Sequence, residues 1–100
     1  MSSLALDQYV VDVLMPDLVG HDKSPSAFLV YLYLWRITGT HGHARVSYTN
    51  MASNTGLSKA SVQRAVSILK RRKLLLVSKS SQTAVPDYRL VRPWVGRMPG

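Results

Sequence analysis

Between Ser58 and Arg72 the apolar residues Val62, Ala65, Val66 and Leu69 recur at i, i+3, i+4 and i+7, with polar or basic residues at most positions between them. That spacing predicts a helix with one face in a core, and Ser58 is a good N-cap for it. Just upstream, Ser47 or Thr49 caps a short helix that ends near Thr55, with Gly56 as its C-terminal stop and Leu57 between the two helices. Ser24-Pro25 opens an earlier helix, since Ser caps well and Pro at the first helical position costs no hydrogen bond. It runs to about Thr38 and stops at Gly39. Phe28, Leu32 and Trp35 line one stripe of it, and Val30, Leu34 and Ile37 line another. A helix apolar nearly all round is buried on both sides, so this one is central or its second face meets another subunit.

After the last helix the period changes. Leu74 to Lys79 reads as a strand, Ser80 to Pro86 as a turn region, and Tyr88 to Val91 as a second strand pairing back in a hairpin. Gly39 to Arg45 reads as a loop. Residues 4–14 fit either a helix with Leu6, Val10, Val13 and Leu14 on one side or a strand through Val10–Val13. Met15-Pro16 is expected to end that element, because proline disfavours α conformation in the residue before it. Val19 to Lys23 is then a connector, and Arg92 to Gly100 a tail that frays except near Trp94. The organisation is an N-terminal segment (1–23) suited to dimerisation, a main domain (24–93) and a tail (94–100).

Charge sharpens this reading. The 100 residues carry thirteen Lys and Arg against five acids, all of them Asp, for a net charge of +8. Residues 1–23 sum to −3, residues 24–57 to +2, and residues 58–100, with ten bases against Asp87 alone, to +9. Six of those bases fall between Lys59 and Lys73. One or two would complement the helix dipole; six point to an anionic partner. The absence of Cys removes disulfides, Cys-ligated zinc and thiol chemistry. The longest unbroken apolar run, Ala27 to Trp35, is half of what a bilayer crossing needs. No basic region precedes an apolar stretch at the N-terminus, so a soluble cytoplasmic protein is expected.

The order of elements, two helices joined by Asn54-Thr55-Gly56-Leu57-Ser58 and followed by a hairpin, is that of a winged helix-turn-helix. The stretch Met51 to Leu69 (Met-Ala-Ser-Asn-Thr-Gly-Leu-Ser-Lys-Ala-Ser-Val-Gln-Arg-Ala-Val-Ser-Ile-Leu) resembles the LA..TGLS..TV.RA...L pattern of bacterial winged-helix regulators. Leu74-Leu75 resembles the start of their first wing strand, and Tyr88-Arg-Leu90 is similar to the Y.L of the second. The resemblance covers about residues 24–91 and is nearest to the modules of GntR-type and replication-initiator-type proteins. One departure is Lys73, where such patterns carry Gly before the first wing strand.

The resemblance implies a mainly α fold with a small β-hairpin wing. It also implies that helix 58–72 enters the major groove of duplex DNA while the hairpin 74–91 acts as a wing. Lys59, Ser61, Gln63, Arg64, Ser67, Lys70 and Arg71 then belong to the DNA-facing set, with Arg64 suited to guanine and Gln63 to adenine. Tyr48, Thr49, Asn50, Ser58 and Lys59 are candidate phosphate ligands near helix N-termini. Lys79, Ser80, Ser81 and Gln82 form the wing tip. The expected function is a small transcription regulator. Alternatives are the DNA-binding module of a replication or plasmid initiator, or a winged-helix module for protein–protein contacts. The expected partners are double-stranded DNA and a second copy of the chain, with no membrane.

A basic RNA-binding protein lacks support because no aromatic stacking platform is visible. No enzyme is expected, since no Gly-x-Ser-x-Gly elbow, paired carboxylate or Gly-rich phosphate loop stands out. No cofactor is implied. His41-Gly42-His43, even with His21 and Asp22, lacks tetrahedral spacing, so no metal is expected either.

Overall fold

The computed structural model describes residues 3–39 and 41–95. Helix α1 (Pro25–Thr38) is the central element, packing against α3 (Lys59–Arg71), α2 (Tyr48–Thr55), the N-terminal helix and the sheet. Ala27, Phe28, Val30, Tyr31 and Leu34 are buried on it, while Leu32, Tyr33, Trp35 and Ile37 are half-covered. The all-round apolar pattern therefore marks a helix wrapped by its own chain. Ser24 caps it through the Ala27 amide (3.2 Å). The buried Tyr31 hydroxyl donates to the Val91 carbonyl (3.1 Å), and burial raises its pKa.

The helix-turn-helix forms as its local chemistry dictates. Ser47, not Thr49, caps α2, accepting from the Asn50 amide at 3.1 Å. Gly56 ends α2 in the left-handed region at φ 81°, where a side chain would be strained. Thr55 Oγ1 donates back to the Met51 carbonyl (2.7 Å) and accepts the Leu57 amide (3.3 Å), which fixes the turn. Asn54 Nδ2 donates to the Tyr33 hydroxyl (2.9 Å) and braces α2 on α1. The core stripe of α3 is the expected one, with Val62, Ala65, Val66 and Leu69 all buried.

Strands β2 (Leu75–Ser78) and β3 (Asp87–Leu90) form the expected hairpin, pairing Leu75 with Leu90 and Val77 with Tyr88. A third strand, β1 (Ala44–Arg45), lies where the sequence predicted a loop, and pairs with β3 through Ala44↔Tyr88 and Arg45↔Asp87. Two residues are too few to leave a periodic signal. The fold is thus mainly helical with a small antiparallel sheet ordered β1-β3-β2, a winged helix-turn-helix. Lys73 stands in the left-handed region at φ 59°, two residues before the first wing strand, the conformation for which Gly is suited at that place.

The N-terminal segment corrects the sequence reading. It is helical, in two stretches closed by i→i+5 hydrogen bonds, Val10–Leu14 and Pro16–His21, that meet at Met15. Pro16 does not end it. Met15 stays helical (φ −60°, ψ −57°), and Pro16 takes the first position of the second stretch, where an N–H is dispensable. Val10, Leu14 and Leu18 recur every four residues and are buried, so core contacts carry the turns across the proline. Val13, expected on the covered side, is exposed, and Val19 to His21 continue the helix instead of connecting it to α1. The segment packs on its own domain: Trp35 Nε1 donates to the Ala5 carbonyl (2.9 Å). Tyr9 stacks on Trp94 with ring centres 4.4 Å apart, and Trp94 Nε1 donates to Asp7 (2.9 Å). Residues 96–100 of the expected tail lie outside the described residues.

Candidate nucleic-acid interface

Helix geometry sorts the side chains of α3. At about 100° per residue, the positions opposite the buried stripe are Ala60, Gln63, Arg64, Ser67 and Arg71, with Ile68 at their margin. These six line an open depression of about 430 Å³ on the surface of the helix. Gln63, Arg64, Ser67, Lys70 and Arg71 are exposed, as the sequence predicted, and Lys59 and Lys70 flank the depression along one side. Ala60 and Ile68 were missed, because apolar residues at these positions look like background when only polar ligands are sought. The angular spacing alone places them there.

Ser61 is tied up. Its amide donates to the Ser58 cap (3.0 Å), its hydroxyl bonds the Ser58 hydroxyl (2.9 Å), and Arg64 Nη2 donates to it at 3.4 Å. That arrangement steadies Arg64 on the outward face. Both helix N-termini are capped by their own Ser, which satisfies one of the orphan amides at each and leaves others open to an anion. Thr49 and Asn50 are exposed in the first turn of α2, whereas Tyr48 is half-buried beside Tyr88. At the far end of the hairpin Lys79, Ser80, Ser81 and Gln82 are all exposed, in a turn held by the Ala84 amide on the Ser81 carbonyl (3.2 Å). Arg89 on β3 is exposed, and so is Arg45 on β1, a cation to which the sequence reading gave no role.

The acids explain which cations are free. Asp22 grips Arg72 with both carboxylate oxygens (3.0 and 3.1 Å), and Asp17 takes the other guanidinium nitrogen. In an α-helix residues five apart diverge by about 140°. Here the Asp22 amide bonds the Asp17 carbonyl (2.9 Å), an i→i+5 closure that brings the two carboxylates to one side. Asp7 holds Arg92 (3.5 Å), which also lies over the Trp35 ring at 5.3 Å, and Asp87 pairs with His43 (3.0 Å). Arg72, one of the six bases counted towards an anionic partner, is therefore spent inside the fold. Among the described residues, Lys59, Arg64, Lys70, Arg71, Lys73, Lys79 and Arg89 have no carboxylate within ion-pair distance.

Asp17, His21 and Asp22 cluster closely enough to suggest a metal, with ligand atoms within 4.8 Å of one another. The guanidinium of Arg72 already supplies the cation there. Among the described residues no helix is long and apolar enough to cross a membrane.

A family model described as a helix-turn-helix domain matches residues 21–75. That span runs from the end of the N-terminal helix to the first wing strand. No curated protein and no solved structure matches the chain significantly.

Proposed function

Since the chain belongs to the helix-turn-helix domain family, we propose that it binds duplex DNA with α3 in the major groove and the β2–β3 hairpin as a wing, and acts as a small transcription regulator. One observation carries this reading. Among the described residues, the outward face of α3 displays Gln63, Arg64, Ser67, Lys70 and Arg71 without a paired carboxylate, while Asp7, Asp17, Asp22 and Asp87 are occupied elsewhere and Asp12 is exposed on the N-terminal helix. Arg64 suits guanine O6 and N7, and Gln63 suits adenine N6 and N7. Thr49, Asn50, Ser58 and Lys59 serve the phosphates on one side, and Lys79 to Gln82 those on the other.

The likeness of Met51–Leu69 to GntR-type and replication-initiator-type modules supports two biological settings, regulation and replication initiation, that share this chemistry. Titrating a labelled random duplex and a single-stranded RNA at two salt concentrations tests the reading. Salt-sensitive preference for the duplex supports it; equal or better binding of the RNA refutes it.

Two copies of the chain are the proposed binding unit. With Val10, Leu14 and Leu18 buried in their own domain, the surface for a second copy is the neighbouring row Val11, Met15 and Val19, exposed at a spacing of four about 100° further round the same helix. A two-fold dimer places its recognition helices about 34 Å apart, which calls for an inverted-repeat site. Light scattering at micromolar concentration checks it: twice 11.1 kDa is expected, and 11.1 kDa alone rules it out.

A further inference from the structure

The face of α3 that points away from the core is not uniformly polar. Ala60, Arg64 and Ile68 follow one another at i, i+4 and i+8, so a guanidinium stands between two apolar side chains along one row of the depression. Each step along that row is about 6 Å of helix axis, close to two base-pair steps at about 3.4 Å each. Ile68 is half-buried, with part of its side chain packed on the core and part left on the open face. Its position is therefore held by the domain. Ala60, in the first turn after the Ser58 cap, is exposed on a backbone fixed by that cap.

In the major groove the apolar feature that distinguishes one base pair from another is the thymine 5-methyl group, and alanine and larger aliphatic side chains are suited to cover it. We propose that Ala60 and Ile68 read thymine methyl groups on the two sides of a guanine bound by Arg64. The preferred half-site is then a G·C pair with a T·A pair within about two base-pair steps on each side. This inference rests on the duplex-binding reading above. It adds to it a base class at defined positions, carried by two residues that make no hydrogen bond to DNA.

The test is enrichment of a random duplex library on the full chain, followed by deoxyuridine replacement of each thymine in the enriched site. Uracil pairs like thymine and lacks only the methyl group, so the wild-type protein itself gives the answer. Covering one methyl group corresponds to about a three- to fivefold change in affinity. A loss of that size is expected at thymines flanking the Arg64-dependent guanine and not elsewhere. Ile68→Ala should make the protein indifferent to uracil at one of those positions. Ile68→Val, which preserves core packing, should retain part of the effect should the alanine variant fold poorly. An enriched site without flanking thymines, a wild-type protein indifferent to uracil, or an undiminished uracil effect in Ile68→Ala overturns the inference and leaves duplex binding intact. Failure of the chain to bind any duplex overturns the reading beneath it instead.

Discussion

Arg71 and Arg72 are neighbours in sequence and chemically identical, yet the fold puts them to opposite uses. Arg71 is exposed on the outward face of α3, with no acid in ion-pair range among the described residues. Arg72, about 100° further round the helix, meets Asp17 and Asp22 on the N-terminal helix and closes the seam between the two elements. The same division runs through the molecule. Arg92 is held by Asp7 on the ring of Trp35, whereas Arg89, three residues earlier, is exposed with no acid in range among the described residues. One surface leaves its positive charge unpaired among the described residues, and the other neutralises it to hold the chain together. A count of bases along the sequence treats the two alike.

The largest effect expected from breaking this division is on stability. Arg72→Met removes the cation from two adjacent, partly covered carboxylates. It should cost about 2 kcal/mol, below the 3–5 kcal/mol of a fully buried pair because Asp17 and Arg72 retain solvent contact. For a domain of this size that lowers Tm by roughly 10 °C, measurable by circular dichroism. Arg71→Ala should leave Tm within a degree or two and reduce the salt slope of duplex binding by about one. Equal effects of the two variants on both quantities would erase the distinction.

Within the free set, reading and positioning should also separate. Arg64→Ala is expected to lose roughly 1–3 kcal/mol of discrimination between the enriched site and a scrambled duplex, whereas Lys79→Ala weakens all duplexes alike. Competition titrations with both duplexes measure this, and loss of discrimination in Lys79→Ala instead would reverse the roles.

A smaller effect concerns Lys73, which keeps its charge free at a conformational cost. At φ 59° a residue with a Cβ is strained, so Lys73→Gly should stabilise the fold by up to about 1 kcal/mol while weakening DNA binding slightly. Urea denaturation checks the sign; a destabilised glycine variant would mean that the lysine stem contributes packing.

What was legible in the sequence was whatever depends on near neighbours. Gly56 and Ser58 end one helix and begin the next for reasons contained in five residues. The four-residue core stripe of α3 is a periodicity, and the hairpin follows from two apolar runs and a turn. The seam was not legible. Its existence requires Pro16 to be tolerated inside a helix, and the i→i+5 closure from Asp17 to Asp22 depends on Val10, Leu14 and Leu18 finding a core made by other elements. Strand β1 was invisible because two residues become a strand only once β3 is beside them. In the site, the outward set Gln63, Arg64, Ser67, Lys70 and Arg71 could be read from helical spacing. Ser61 shares that stretch but is drawn into the cap, which depends on the rotamers of two serines.

In the proposed complex a defined subset of the bases, those of α3 and the wing, meets the phosphates of duplex DNA. The most direct test is the affinity for a random duplex across a series of salt concentrations. With about five phosphates neutralised, log K should fall against log[salt] with a slope near −4 to −5. A flat dependence, or no duplex binding at about 50 mM salt, would contradict it.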